Sequence, residues 1–144
     1  MSRGGPAGAR SRARELVVQA LYQQQIAEHD TDELIAQFSD RPEYQRVDQE
    51  YFLETLRGIS GNIDAIDRSI GAFADRPPEQ LDPVERAILM QGIHELQARR
   101  DVPFKVVINE AVNLARKFGA ADAHKYVNAV LDRAARQIRS DDND

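Results

Sequence analysis

The stretch that decides the fold runs from Asp101 to Arg136 and reads DVPFKVVINEAVNLARKFGAADAHKYVNAVLDRAAR. Val107, Ala111, Leu114, Ala115 and Phe118 recur at i, i+4, i+7, i+8 and i+11, one face of a helix. Asp101 is placed to cap its start, and Pro103 suits the opening turn, where a missing N–H breaks no bond. Arg116 and Lys117 fall in the last turn, where cations complement the helix dipole. Gly119 is expected to supply a left-handed stop. Asp122 then caps a second helix, with Ala123, Val127, Val130, Leu131 and Ala134 on its inner face. The joint GAADAHKY puts His124, Lys125 and Tyr126 beside a backbone turn and a helix start, a platform for a small anion and a base.

Working back from this pair, Asp82-Pro83-Val84-Glu85 reads as another helix start, with Asp82 capping and Glu85 able to reach back. That helix extends to about Ala98, with Leu89, Ile93 and Leu96 on one face and Arg99 and Arg100 at its C-terminal end. Asp75 to Pro78 is the clearest break. Before it, Phe52, Leu56, Ile59, Ile63, Ile66, Ile70 and Phe73 alternate spacings of four and three, predicting one long helix with its seam in a bundle. A zipper-type dimer is the alternative. Gly58 and Gly61 each cost about 1 kcal/mol against Ala and mark a bend or a close crossing.

The first helix is expected from about Ser11 to Glu28, with Ala13, Leu16, Val17, Ala20 and Leu21 inward. Val18, Tyr22 and Ile26 form a second stripe roughly opposite, so this helix is either buried on both sides or keeps one face for a partner. Asp30 to Glu33 is a capping-box-like start for a short helix carrying Leu34, Ile35 and Phe38. No convincing period-two strand appears, and the predicted fold is all-α. Residues 1–9 read as a mobile arm, 10–138 as one helical domain and 139–144 as an acidic tail.

A chain of 144 residues suits one domain with a real core. It has no cysteine, which excludes disulfides, thiolate metal sites and a thiol nucleophile. No apolar run approaches the roughly 20 residues that span a bilayer, and the N-terminus lacks a secretory h-region, so the expectation is cytoplasmic, with no membrane partner. The net charge of −5 argues against indiscriminate coating of nucleic acid. Yet Arg3, Arg10, Arg12 and Arg14 stand among the first fourteen residues without an acid, and a local basic patch on an acidic protein suits selective RNA binding.

Catalytic and metal-binding patterns fail. His29, His94 and His124 have no second histidine at i+3 or i+4, and His94-Glu95 lacks the histidine that would complete a zinc-protease motif. No Gly-x-Ser-x-Gly elbow or phosphate-binding glycine loop is present. Neither an enzyme nor a cofactor is expected. The arginines read either as a solvated terminus or as phosphate contacts lying off the inner stripe. Lys125 points away from the apolar stripe of its helix, whereas Tyr126 sits at its border, as a core-edge ring or a base-stacking one.

Three blocks, RARELVVQALYQ, LDPVERAIL and VPFKVVINEAVNLARKFGAADAHKYVNAVLD, resemble the NusB family of bacterial transcription antitermination factors from about Arg10 to Arg136. The resemblance implies two packed three-helix halves that bind boxA-type leader RNA with NusE, a small-subunit ribosomal protein, in an RNA polymerase antitermination complex. It places the RNA face on Arg10, Arg12, Arg14, His124, Lys125 and Tyr126, and the NusE contact on Tyr22 and Glu85. Some members form homodimers that hide the RNA face. Ala123, where the family usually has serine, Asn128-Ala129 in place of Asn-Gly, and Gln91-Gly92 in place of an apolar pair depart from the pattern. The rival readings are a helical protein-interaction bundle and the NusB-like accessory domain of a ribosomal RNA methyltransferase.

Overall fold

The structure is a computed structural model in which residues 6–141 are described. It is all-helical, and no strand occurs among the described residues. The chain divides into two compact units, one ending at Gly61 and the other beginning at Asn62. Among the described residues no helix is long and apolar enough to cross a membrane.

The first unit holds α1 (Pro6–Ala27), α2 (Thr31–Ser39), a 3-10 turn over Pro42–Arg46 and α3 (Gln49–Ser60). Helix α1 starts five residues before Ser11, with Pro6 at its opening, where proline's fixed φ is already helical. Residues 6–9 of the expected arm are therefore helical, and residues 1–5 lie outside the described residues. The helix stops at Ala27 because Glu28 turns left-handed at φ 55°. Asp30 and Glu33 close the capping box of α2 in both directions, at 2.8 and 3.0 Å. Phe52 is the hub of this core. Tyr44 meets it edge-on at 5.7 Å between centroids, and Phe38 lies 6.2 Å away.

The expected long helix is broken. Helix α3 ends at Ser60 and α4 (Ile63–Phe73) begins after Asn62, whose φ of −139° and ψ of 33° are not helical. Two glycines within four residues weaken the helical preference there, while the apolar spacing continues across the break unchanged. Ile59 serves the first unit's core, and Ile66 and Ile70 the second's.

The second unit contains α4, a 3-10 turn over Pro78–Gln80, α5 (Pro83–Ala98), α6 (Phe104–Phe118) and α7 (Ala123–Ile138). Helix α5 is central, packed by α4, α6 and α7, and is buried on more faces than Leu89, Ile93 and Leu96 suggest. Asp82 caps it, accepting from the N–H groups of Val84 at 2.8 Å and Glu85 at 3.3 Å. Two departures from the family pattern are explained on this helix. Gln91 donates to the Glu95 carboxylate at 2.8 Å in the interior. A Cβ on Gly92 would stand 2.8 Å from Leu131 Cδ1, so the glycine lets α7 approach.

Three expected caps differ. Helix α6 starts at Phe104 with Pro103, not Asp101, at its cap position; Asp101 pairs with Arg99 through bonds of 3.2 and 3.3 Å. Asp122 sits at the α7 start but makes no capping bond. Gly119 is extended, with φ −93° and ψ 176°, rather than left-handed. Its requirement is steric: a Cβ there would lie 2.8 Å from both the Ala115 carbonyl oxygen and the Ala123 Cβ.

The far ends of α5 and α7 are tied by exchanged arginines. Arg139, 3% exposed, donates to the carbonyls of Leu96 at 2.7 Å and Arg99 at 3.1 Å. Arg100 donates to the Ile138 carbonyl at 2.7 Å and to Asp141 at 2.8 Å. Each guanidinium satisfies carbonyls that a helix end leaves open. Arg139 and Asp141 of the expected acidic tail are thus engaged, and 142–144 lie outside the described residues.

Candidate nucleic-acid interface

The three candidate arginines of α1 occupy different environments. Arg10 is half-buried, with its Nε 3.2 Å from Asp48 and its guanidinium 5.3 Å from the Tyr51 ring centre. Asp48 also caps α3 by accepting from the Tyr51 N–H at 3.0 Å, so Arg10 joins a structural network. Arg14 is 3% exposed and lies 5.2 Å from the same ring centre. The expectation that all three lie off the inner stripe therefore fails for Arg14. The buried guanidinium meets the Tyr51 π face in a desolvated setting, and no buried side-chain nitrogen among the described residues lacks a hydrogen-bond partner. Arg12 is partly exposed.

Residues 124–126 are split across α7. His124 and Lys125 line a groove of about 780 Å³ between α6 and α7. Lys125 is 74% exposed and lies 3.7 Å from Asp122. Tyr126 turns instead toward the end of α4. Its hydroxyl donates to Asp75 at 2.9 Å, and the Arg76 guanidinium lies 5.1 Å from its ring centre. Partial burial pushes the Tyr126 phenol up, and its hydrogen bond to Asp75 adds to the shift. The same bond, followed by that from Arg76, holds the Asp75 carboxyl below its ordinary value. Tyr126 is thus a border ring with a polar mate and a stacked cation.

Sequence reasoning did not find Asp75 and Arg76 as its neighbours. They fall in the Asp75–Pro78 break, which reads as punctuation, and only the fold returns that break to α7 fifty-one residues later. The groove's α6 side was missed as well, although its outward residues repeat at helical spacing.

The two candidate protein-contact residues, Tyr22 and Glu85, lie in separate units. Val18 is buried at 2% exposure, whereas Tyr22 and Ile26 are 41% and 58% exposed. The second stripe of α1 therefore has one residue in the core and two at the surface. Glu85 lies in the first turn of α5, and burial, then the neighbouring Asp82 charge, raises its carboxyl above the ordinary value.

These features define a class: an all-helical protein with exposed cations over a helix pair and a ring–guanidinium stack beside them. A model of the NusB family matches residues 11–136, and the chain belongs to that family. It is 47% identical over 131 residues to the transcription antitermination protein NusB of Alcanivorax borkumensis, covering 91% of this chain and 87% of that protein. The NusB protein of Idiomarina loihiensis is 44% identical over 131 residues, covering 91% and 94%. Among solved structures, T. maritima NusB superposes with a TM-score of 0.80 at 28% identity, covering 89% of this chain and 91% of that one. A chain from a complex of the antitermination factors NusB and NusE with double-stranded RNA shares the fold, with a TM-score of 0.77 at 24% identity and coverage of 88% and 95%.

Proposed function

We propose that this protein is a non-enzymatic transcription antitermination factor that binds boxA-type RNA together with NusE and promotes ribosomal RNA synthesis. The observation that carries this reading is the family match over residues 11–136, which contains all three sequence blocks and every candidate contact except Arg10. In this reading Arg12 and Lys125 meet phosphate, and Tyr126 stacks an unpaired base with Arg76 alongside it. Arg10 contributes from the edge of its Asp48 pair, and His124 from the groove wall. Arg14 acts indirectly, by holding the Tyr51 ring that Arg10 also covers. Tyr22 and Glu85 serve the NusE contact, with the exposed Tyr22 ring as the apolar anchor.

The test is a titration with boxA-like RNA and a scrambled control at two salt concentrations, with and without NusE. The cognate RNA should bind better than the scramble, bind better still with NusE, and weaken as salt rises. Equal affinity for both RNAs under all conditions would overturn the reading.

A further inference from the structure

The groove between α6 and α7 has a composition that the Tyr126 stack does not use. From α6 it takes Lys105, Asn109 and Arg116, positions separated by one and nearly two helical turns, with Phe104, Ile108 and Val112 beside them. From α7 it takes His124, Lys125, Asn128 and Asp132, again a single strip at i, i+1, i+4 and i+8. Two facing strips thus present three permanent cations, one imidazole and two amides over an apolar wall. Its one acid is already engaged, since Asp132 pairs with Arg136 at 3.1 Å. Lys105, Arg116 and the two amides make no hydrogen bond or ion pair among the described residues, so their donors are available.

We propose that this groove is a nucleotide subsite, in which Lys105, Arg116 and Lys125 hold the phosphates of single-stranded RNA while Asn109 and Asn128 read the edge of an unpaired base against the Phe104/Ile108/Val112 wall. The proposal rests on the RNA-binding reading and extends it to residues outside the candidate set. Cations alone would suit an acidic peptide equally well. The paired amides favour a base, because a carboxamide offers a donor and an acceptor together, matching the hydrogen-bonding edges of nucleobases. The volume of about 780 Å³ falls among clefts that hold compact ligands, about 300–1,000 Å³. Continuity supports the same assignment, since His124 and Lys125 belong both to the groove and to the candidate RNA face.

The experiment uses the full chain and a fluorescent unstructured RNA 12-mer in four base compositions, with a glutamate 12-mer peptide as competitor. Lys105→Ala/Arg116→Ala should weaken RNA binding about tenfold and lower the salt slope by about 1.4, at about 0.7 for each phosphate left without its cation. Asn109→Ala/Asn128→Ala should narrow the differences among the four RNAs while leaving the salt slope unchanged. All four residues line the groove wall at the surface, so both variants should keep the wild-type melting temperature. RNA affinity, slope and base preference unchanged in both variants, with Tyr126→Ala still impaired, would overturn the subsite and leave the broader reading standing. A peptide that binds the wild type more tightly than RNA, and loses that binding in the cation variant, would overturn it in favour of an acidic protein partner. Wild-type protein that binds none of the RNAs would overturn the subsite, while the boxA titration with NusE separately decides the broader reading.

Discussion

Arg12 and Arg14 stand two positions apart on one helix, which rotates their side chains by about 200° and prevents them from sharing a face. The structure accordingly leaves Arg12 partly exposed and buries Arg14 over Tyr51. Replacing Arg14 with Ala should destabilise the protein by about 2 kcal/mol, the scale of a desolvated cation–π contact, measured as a lowered denaturation midpoint. Arg12→Ala should leave that midpoint in place and lower the salt slope of RNA binding by about 0.7. A stable Arg14→Ala variant would mean that the burial carries no energetic weight. At Tyr126 the phenol hydroxyl and the ring have separable tasks. Tyr126→Phe loses only a bond to an exposed carboxylate and should retain most RNA affinity, whereas Tyr126→Ala should lose about 1–3 kcal/mol of binding. Binding assays beside thermal melts distinguish this from a core-edge role, in which Ala lowers the melting temperature and Phe does not. The alternation of arginines was visible in the sequence. What it lacked was the identity of the ring that Arg14 meets, because Tyr51 lies on another helix.

Among the elements, the apolar faces of α6 and α7 and the extent of α5 were legible because helix periodicity and Pro–Asp starts are local signals. The break between α3 and α4 was not. Its apolar spacing carries on through Gly61 and Asn62, so periodicity alone could not register a helix end there. Gly119 was recognised as a helix stop but for the wrong physical reason. At φ −93° any residue adopts its backbone, and only the Ala115 carbonyl and the Ala123 methyl forbid a side chain. Gly119→Ala should therefore destabilise the α6–α7 joint by about 1–3 kcal/mol, as overpacking does. Gly119→Asn tests the cause, since asparagine tolerates left-handed backbone but not the crowding. Asn should be at least as damaging as Ala in chemical denaturation. Rescue by Asn would restore the left-handed explanation.

For the molecule as a whole, acidity and partner binding offer readouts beyond any one helix. Burial lowers the His94 imidazole below its ordinary value; the Glu95 charge opposes this and Arg99 reinforces it. The unfolded chain therefore takes up that proton more readily than the folded one. This contribution to stability is fully present above about pH 6.5 and is lost as pH falls below it. His94→Gln should flatten that portion of the stability profile, measured by urea denaturation from pH 7.5 to 5. An unchanged slope would assign the acid sensitivity to other groups. Tyr22→Asp and Glu85→Lys should each weaken NusE binding with the far-UV helical signal intact, and should reduce RNA binding much more in the presence of NusE than in its absence. Full NusE affinity in a folded Tyr22→Asp variant would remove that residue from the contact. The family's partners were legible only through whole blocks of sequence, since one exposed tyrosine does not specify what covers it.

The guanidinium that closes α5 also sets a timetable for the chain as it leaves the ribosome. The last residue of α5 is Ala98, yet the carbonyl of Arg99, bonded locally by the Val102 N–H, receives its side-chain donor from Arg139, 40 residues further on. At about 5–20 residues per second that interval is roughly 2–8 s of translation. During it, the core-facing surface of α5 must await α6 and α7, while the segment through Gly61 has already been made. The nascent second unit is thus the one that most needs the shelter of chaperones, and a stalled ribosome would expose it longest.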